Sequence, residues 1–297
     1  MKLYYSDVFE LPLPDGHRFP MSKYTLLRER IGETLGDRVE LLLPPAATDQ
    51  QILLAHTREY LDRVKDGSLS QLEQRRIGFP WSLKMVERSR RSTGATIAAA
   101  RAALVDGVAF NLAGGTHHAF AERGQGFCVF NDVCVAARTL QKDGLIEKAM
   151  VIDCDVHQGN GTASIAEADD SIFTFSIQCE SNFPFRKTNG DLDINLPAGT
   201  EDREYLESMS DGIDRALEAF HPDMVFYLAG ADPFEGDRLG KLAVSKDGLR
   251  ERDNLLFERC RLAKIPVAVS MAGGYAEDVS DIVDIHFATV EVALASQ

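Results

Sequence analysis

Short apolar runs alternate with longer amphipathic stretches along the chain. The apolar runs predict strands at residues 3–5, 39–43, 108–111, 149–153, 172–177, 224–228 and 266–271. The stretches between them predict helices at residues 22–35, 83–105, 201–220, 246–263 and 278–295. Strands and helices that alternate in this way favour a central, mostly parallel sheet with crossover helices on both faces. We therefore expect an α/β protein.

Two of the predicted helices begin with residues that favour a helix N-terminus. Thr200 is a candidate N-cap with acidic residues directly after it, and Ser245 precedes a later helix in a looser version of the same signal. In contrast, residues 66–81 form the least regular long connection. No repeat or low-complexity linker divides the chain, so its 297 residues suit one large domain or two small ones.

Composition narrows the classes of partner. The net charge of −14 argues against nucleic-acid binding and against attraction to anionic membranes, and it would tolerate or favour a cationic substrate. Five cysteines without regular spacing fit free thiols in a reducing compartment. The first residues lack the apolar segment of a secretory signal, and no run of about 18 apolar residues could span a bilayer. We therefore expect a cytoplasmic protein.

Three polar clusters follow predicted strands and combine carboxylates with imidazoles. The clusters are Asp153, Asp155 and His157; His117 and His118; and Asp232. Side chains two residues apart share one face of an extended segment, so Asp155 and His157 can converge on one ion. Ligands of open α/β sheets bind beyond the carboxyl ends of the strands. The joint pattern predicts a metal site, and two Asp with one His favour zinc.

Each of these features also has a purely structural interpretation. A lone Asp after a strand, such as Asp232, is usually a turn or helix-cap residue. The segment Gly273-Gly274-Tyr275 alone indicates only a turn with a packed aromatic side chain. We expect the histidines outside any polar cluster to be structural or solvent-exposed: His17, His56, His221 and His286. The joint occurrence of the three clusters is what favours the metal-site interpretation.

At these residues the sequence resembles the histone deacetylase family, which has the arginase-deacetylase fold. The resemblance rests on six segments in the family's order: residues 56–61, 114–119, 126–132, 153–162, 229–232 and 272–275. It covers nearly the whole chain and therefore implies one catalytic domain over residues 1–297. Gln158 and Asn160, where most classes have His and Asp, look most like class IV deacetylases, as do residues 93–96 and 235–240.

The resemblance implies a catalytic zinc site. Asp155, His157 and Asp232 would hold the ion and leave room for the substrate carbonyl and a water molecule. Tyr275 would donate a hydrogen bond to the developing oxyanion.

The family also uses a structural potassium ion near the zinc. The positions that match this second site are Asp153, Ser176 and Ile177, together with the backbone of Asp155 and His157. Hard oxygen donors suit such an ion.

The resemblance gives the adjacent histidines different tasks. His118 would be the general base, and Asn160 would be its neutral partner. A neutral partner cannot stabilise imidazolium by charge, so we expect a lower pKa for His118 than in relatives with Asp. His117, paired with Asp153, would stay charged or strongly oriented and would help electrostatically and in proton delivery to the leaving amine.

Substrate recognition would depend on an aromatic-walled channel. Phe127, which follows Gly126, and Phe183 would be its walls, with an apolar lysine stem between them. Both phenylalanines also fit a position in the core. Gly273 and Gly274 would let the adjoining loop approach the site closely.

The implied activity is hydrolysis of an acylated amine by metal-activated water. Candidate substrates are acetyl-lysine in proteins or peptides, longer acyl-lysines, and small acetylated amines such as acetylpolyamines. Residues 77–81 offer no acidic side chain of the kind that many class I relatives use to grip the substrate backbone. Two other functions are alternatives to this hydrolase activity. An arginase-type manganese ureohydrolase would need further Asp-x-Asp motifs, and a catalytically silent acyl-lysine-binding module would be expected to lose a site residue.

Overall fold

A parallel sheet forms the centre of the computed structural model, which describes residues 1–9, 11–14 and 16–297. The strands are β1 (Lys2–Tyr4), β2 (Glu40–Leu42), β3 (Val108–Asn111), β4 (Ala149–Asp153), β5 (Ile172–Cys179), β6 (Leu192–Leu196), β7 (Met224–Leu228) and β8 (Val267–Ser270). Their order across the sheet is β2-β1-β3-β8-β7-β4-β5-β6, and neighbouring strands run parallel. The α/β fold with a central parallel sheet is therefore confirmed.

Helices connect the strands and cover both faces of the sheet. They are α1 (Ser22–Leu35), α2 (Asp49–Ile52), α3 (Arg58–Asp66), α4 (Gln71–Ile77), α5 (Leu83–Asp106), α6 (Asp132–Lys142), α7 (Asn160–Ala166), α8 (Asp202–Ala219), α9 (Lys246–Ala263) and α10 (Val279–Ser296). Within the described residues, no helix combines the length and the apolar character needed to cross a bilayer.

The core consists of two apolar layers, one on each face of the sheet. Alternate residues of a strand point to opposite faces, and β7 illustrates this. Val225 and Tyr227 pack into the layer that contains Leu256 of α9, whereas Phe226 packs into the layer that contains Val133 of α6. All five cysteines are buried and free, as expected for unpaired thiols.

The predicted strands and helices are present, with ends that differ by one or two residues. The hydrophobic pattern did not predict β6 or the helices α2, α3, α4, α6 and α7. Strand β6 lies at an edge of the sheet and is half-exposed, so its sequence lacks a continuous apolar run. Most of the missed helices are short, and α6 is buried on most sides, which hides its helical periodicity.

Two local predictions were wrong. The segment 66–81 is not irregular, because it contains α4, where the Ser70 side chain accepts from the Glu73 backbone and Glu73 accepts from the Ser70 backbone. Thr200 is not a helix cap: its hydroxyl donates to the carbonyl of Pro197, and α8 begins two residues later. The helix start at Ser245 is confirmed, since its hydroxyl accepts from the backbone of Gly248 at 3.0 Å.

Candidate active site

Loops after four adjacent strands bring the predicted site residues together. Strand β3 leads to His117 and His118, β4 to residues 153–157, β7 to Asp232 and β8 to residues 272–275. Because these strands are parallel neighbours, their carboxyl ends meet at one edge of the sheet. A cavity of about 470 Å³ opens there and is lined by residues from each of the loops after β3, β4 and β8.

Asp155, His157 and Asp232 form a buried cluster at this edge. One ligand atom from each side chain lies within 4.8 Å of the others. His157 Nδ1 is 2.9 Å from Asp155 Oδ1 and 3.3 Å from Asp232 Oδ2. The backbone N–H groups of Gly273 and Val156 donate to Asp155 Oδ2 and Asp232 Oδ1, both at 2.9 Å. The three side chains therefore converge as a pre-arranged ligand set.

The electrostatics of the cluster fit a bound cation. Asp232 Oδ2 is buried and has no hydrogen-bond donor among the described residues, although His157 Nδ1 lies 3.3 Å away. Burial and the neighbouring charge of Asp155 raise the pKa of Asp232 to about 7. A cation between the two carboxylates would remove this repulsion. Two carboxylates and one imidazole are donors that zinc accepts.

The adjacent histidines have different partners. His117 Nδ1 lies 2.6 Å from Asp153 Oδ2, and His118 Nδ1 lies 2.8 Å from Asn160 Oδ1. Burial alone would lower the pKa of His117, but the carboxylates of Asp153 and Asp155 raise it to about 9. Burial and the charge of His117 lower the pKa of His118 well below its ordinary value. At neutral pH the pair therefore combines a protonated imidazole with a neutral one.

Tyr275 lies beside the metal cluster and lines the same cavity. Burial and the charges of Asp155 and Asp232 raise the pKa of its phenol well above the ordinary value, so the phenol keeps its proton. Its backbone N–H donates to Asp237 Oδ2 at 2.6 Å. A Cβ on Gly273 would overlap the Asp232 carboxylate and lie 2.5 Å from Asp155 Oδ2, so only glycine fits at this position.

A buried lysine donates hydrogen bonds to the backbone of the loop 272–275. Lys23 is 2 % exposed, and its ammonium group donates to the carbonyls of Ala272 and Gly274 at 3.4 and 3.3 Å. Gly274 has a φ of 147°, which side chains rarely adopt. The sequence pattern does not reveal the role of Lys23, because a lysine near the start of an amphipathic helix usually faces solvent.

Phe127 and Phe183 both line the cavity, so neither is a core phenylalanine. Phe127 is half-buried and packs on Phe19 with ring centroids 5.2 Å apart. Phe183 is 36 % exposed, and its ring lies 5.0 Å from that of His118. Gly126 has a φ of 57°, and a Cβ there would lie 2.6 Å from His118 Cδ2. The positions of these residues agree with a narrow channel that leads to His118.

Four basic side chains that the sequence pattern did not indicate line the cavity. They are Arg18, Arg76, Arg88 and Lys241, of which Arg88 is buried and the others are exposed. Among the described lining residues the carboxylate is that of Asp155. The described part of the cavity wall is therefore basic although the chain carries a net charge of −14. Charge counts along a sequence cannot reveal such a local reversal.

The predicted potassium residues lie on adjacent strands. Ser176 of β5 pairs in register with Asp153 of β4, and Ile177 follows it in the same strand. Ser176 Oγ is buried and has no partner within the described part of the chain. Asp153 Oδ1 accepts from the backbone of Asp155 at 3.1 Å. An unpartnered oxygen beside a buried carboxylate fits a cation site.

The remaining histidines lie outside the metal cluster, in line with a structural role. His17 Nε2 is 2.9 Å from the carbonyl of Gly78, beside the channel wall. His56 is buried, and its Nε2 accepts from the backbone of Asn131 at 2.8 Å. His221 is exposed and His286 is buried.

The parallel sheet and the polar cluster at its carboxyl edge define an α/β protein with the arginase-deacetylase fold. The family model described as "Histone deacetylase domain" matches residues 17–290. The chain therefore belongs to the histone deacetylase family.

Relatives and solved structures agree with this assignment. An uncharacterized protein of Picosynechococcus sp. is 44% identical over 285 residues, which cover 96% of this chain and 95% of the relative. Histone deacetylase 2 of Arabidopsis thaliana is 28% identical over 285 residues, covering 90% of this chain and 72% of that protein. The crystal structure of an HDAC homolog complexed with SAHA has a TM-score of 0.84 and 25% identity, covering 98% of this chain and 83% of that one.

Proposed function

We propose that this protein is a zinc-dependent amidohydrolase that removes acyl groups from the ε-amine of lysine. The observation that carries the proposal is the buried cluster of Asp155, His157 and Asp232 beside His118 and Tyr275. Metal ligands, a neutral imidazole and a phenol are the groups that hydrolysis of an unactivated amide needs. Membership of the histone deacetylase family supports the same class of reaction.

His118 acts as the general base through its Nε2 atom. Its Nδ1 donates to Asn160 Oδ1 at 2.8 Å, so the proton of the neutral ring stays on Nδ1 and Nε2 keeps its lone pair. The lowered pKa keeps the ring neutral and ready to take a proton from water. Bound by Asp155, His157 and Asp232, zinc supplies Lewis-acid polarisation of the amide carbonyl and acidifies the attacking water.

His117 and Tyr275 act on the charges that develop during hydrolysis. The carboxylate of Asp153 holds His117 in its protonated form, from which a proton passes to the leaving amine. The Tyr275 hydroxyl donates to the oxyanion that forms on the former carbonyl oxygen. A preorganised donor of this kind typically stabilises the transition state by about 3–4 kcal/mol.

An acylated lysine fits the cavity better than an acetylpolyamine does. The lining carries the basic side chains of Arg18, Arg76, Arg88 and Lys241. A polyamine brings further positive charges to this wall, where like charges repel. A lysine within a peptide brings only an apolar stem to the channel between Phe127 and Phe183. The local charge thus argues against the cationic substrate that the net charge favoured.

We also propose that the subclass is class IV and that acyl groups longer than acetyl are accepted. A cavity of about 470 Å³ exceeds what an acetyl group fills. Gln158, one of the class IV marks, donates to Asp193 Oδ1 at 2.8 Å. Asp237, from the matching segment 235–240, holds the backbone of Tyr275. Asp237 therefore contacts a site residue directly, and Gln158 adjoins His157 in the chain.

A structural potassium ion completes the proposal. The unpartnered Ser176 Oγ, the carboxylate of Asp153 and neighbouring backbone carbonyls offer the oxygen donors that such an ion prefers. Its role is to hold the loop that carries Asp155 and His157.

The test is hydrolysis of one lysine peptide bearing acetyl, octanoyl or myristoyl groups, with acetylspermidine as a fourth substrate and zinc-loaded protein. We expect turnover of the peptides to exceed that of acetylspermidine, and acyl groups longer than acetyl to be removed faster than acetyl. Tyr275→Phe should lower kcat more than it raises KM, because the lost hydrogen bond forms only in the transition state. Faster turnover of acetylspermidine would overturn the choice of substrate.

The metal assignment is tested by zinc content. Asp232→Ala should lose the ion, whereas Asp211→Ala, an exposed position on α8, should retain it. Zinc retained at full stoichiometry in Asp232→Ala would refute the ligand set. Absence of turnover with every substrate in a zinc-loaded protein would favour the acyl-lysine-binding module instead.

A further inference from the structure

Among the residues that the structure describes, Arg88 of α5 is a buried cation without a counter-ion. Its side chain is 7% exposed, and its Nη1 is buried without a hydrogen-bond partner in the part of the chain that the structure describes. No carboxylate of the described residues lies within 4.0 Å of it. The guanidinium carbon lies 4.7 Å from the centre of the Tyr24 ring. Stacking on an aromatic face fixes the position of the group but leaves its N–H donors free.

The other arginines of the same helix are paired. Arg90 contacts Asp49, Arg91 contacts Glu87, and Arg101 contacts Asp143. Arg252, which is completely buried, contacts Asp253 and the carbonyl of Gly230. A buried charge without a partner is costly, so an anion that joins it is strongly favoured. Within the described part of the chain, Arg88 therefore marks a place where a ligand can supply the negative charge.

Arg88 lies in the inner wall of the active-site cavity. It lines the cavity together with Tyr24, Met85 and Ser92, all of which are buried or partly buried. The backbone carbonyl of Ser92 accepts from Asn111 at 3.0 Å, at the end of the strand that leads to the histidine pair. This wall therefore lies on the side of the cavity that faces the protein core.

Other lining residues are exposed and mark where the cavity opens to solvent. Phe183, Phe185 and Lys241 are exposed there and line the same space. A lysine stem that entered past Phe183 would place its amide at the Asp155, His157 and Asp232 cluster, and its acyl chain would then extend along the buried part of the lining. The inner end of that chain is the part of the substrate that approaches Arg88.

We propose that Arg88 binds the terminal carboxylate of a dicarboxylic acyl group, such as succinyl or glutaryl, carried on lysine. This inference rests on the proposed lysine deacylase function and names its preferred substrate class. A guanidinium presents paired N–H donors that match a carboxylate. Leu11, Tyr24 and Met85 supply apolar surface for the methylene groups before that carboxylate.

The reaction remains a simple hydrolysis. Water adds its oxygen to the acyl carbon, the amide C–N bond breaks, and the lysine nitrogen takes up the proton. One succinyl-lysine and one water therefore give free lysine and succinate. No oxidant, reductant or other co-substrate is required.

The test compares acyl groups of equal chain length with and without a terminal carboxylate: butyryl against succinyl, and pentanoyl against glutaryl. Wild-type protein should hydrolyse the acidic member of each pair with the higher kcat/KM. Arg88→Gln should reduce the ratio of succinyl to butyryl activity by about 10- to 100-fold, the usual effect of losing a charged hydrogen bond. Arg88→Lys keeps the charge and should retain part of the ratio.

The matched control is Arg101→Gln, which makes the same charge change on the same helix outside the cavity and should leave the ratio unchanged. A second readout is calorimetric binding of glutarate to metal-free protein, which should be lost in Arg88→Gln while its thermal unfolding stays cooperative. If neutral acyl groups are hydrolysed as well as acidic ones and Arg88→Gln leaves the ratio unchanged, the inference fails and the deacylase function stands. If no acyl group is hydrolysed but glutarate binding depends on Arg88, the proposed reaction fails and the anion subsite stands.

Discussion

The two sides of the active-site cavity are built in different ways. On the sheet side, the polar side chains come from loops that directly follow strands, and backbone N–H groups hold them, as Gly273 holds Asp155 at 2.9 Å. On the helix side, the wall consists of side chains from α1, α4, α5 and the segment before α1, such as Phe19, Tyr24 and Arg88. These groups are placed by packing between elements that are distant in sequence.

This difference separates chemistry from selectivity. Groups on the sheet side tolerate almost no displacement, because their geometry determines metal binding and proton transfer. Under the proposed function, groups on the helix side would determine which acyl chain fits and which charge it carries. Substitutions on the sheet side should therefore abolish activity, whereas substitutions on the helix side should redirect or weaken it.

The largest expected effect is that of Gly273→Ala on the sheet side. The added Cβ would overlap Asp232 Oδ2 and crowd Asp155 Oδ2, so one of the two carboxylates must move. Misplaced ligands should release the metal and lower kcat/KM on the order of a hundredfold or more. Zinc content and hydrolysis of the best acyl-lysine peptide measure the two effects.

Gly32→Ala is the matched control for this substitution. Gly32 lies within α1, and a Cβ there would meet only Leu41 Cδ1 at 3.7 Å, an ordinary contact. Alanine in a helix is more favourable than glycine, so this variant should be fully active and slightly more stable. Normal zinc content in Gly273→Ala would mean that the loops on the sheet side can shift enough to accommodate the added Cβ without displacing a metal ligand.

The sequence revealed the sheet side and not the helix side, for a physical reason. Asp155, His157 and Asp232 follow apolar strands, and parallel strands must end together, so their convergence can be deduced from the order of elements. Arg88 and Arg91 look alike in the sequence, as basic residues on a long helix. Arg91 pairs with Glu87 one turn away on the same helix, whereas only packing decides that Arg88 faces a cavity.

The fold shows the same limit. Long elements such as α9 were predicted within a residue or two, because a repeated apolar pattern defines them over many positions. The edge strand β6 and the seven-residue helix α4 were missed, because their stability depends on a single ladder or on the caps at Ser70 and Gly78. Lys23 was missed because its burial depends on the distant carbonyls of Ala272 and Gly274.

A smaller effect on the sheet side is expected from Asn160→Asp. Asn160 gives His118 a hydrogen-bond acceptor without a negative charge, and burial keeps the pKa of His118 well below its ordinary value. The base should therefore stay neutral, and the enzyme active, to unusually low pH. A carboxylate at position 160 stabilises imidazolium and raises that pKa. The acid limb of the kcat/KM profile should then move to higher pH, with activity lost first on the acid side.

Asn254→Asp makes the same chemical change at an exposed position on α9 and should leave the profile in place. The zinc content of both variants should equal that of the wild type, because neither residue is a ligand. An acid limb that stays at the same pH in Asn160→Asp would show that a group other than His118 sets it.

The smallest effects are expected at the two phenylalanines of the channel, where the comparison can be made within one class of residue. Phe127 is half-buried and packs on Phe19, so Phe127→Leu removes an aromatic contact as well as channel surface and should raise KM by about tenfold. Phe183 is 36% exposed, so Phe183→Leu removes less buried area and should raise KM only about two- to threefold. Because the catalytic groups are untouched, kcat should change little in both. A fall in kcat in Phe183→Leu would show instead that its ring, 5.0 Å from His118, orients the base and belongs functionally to the sheet side.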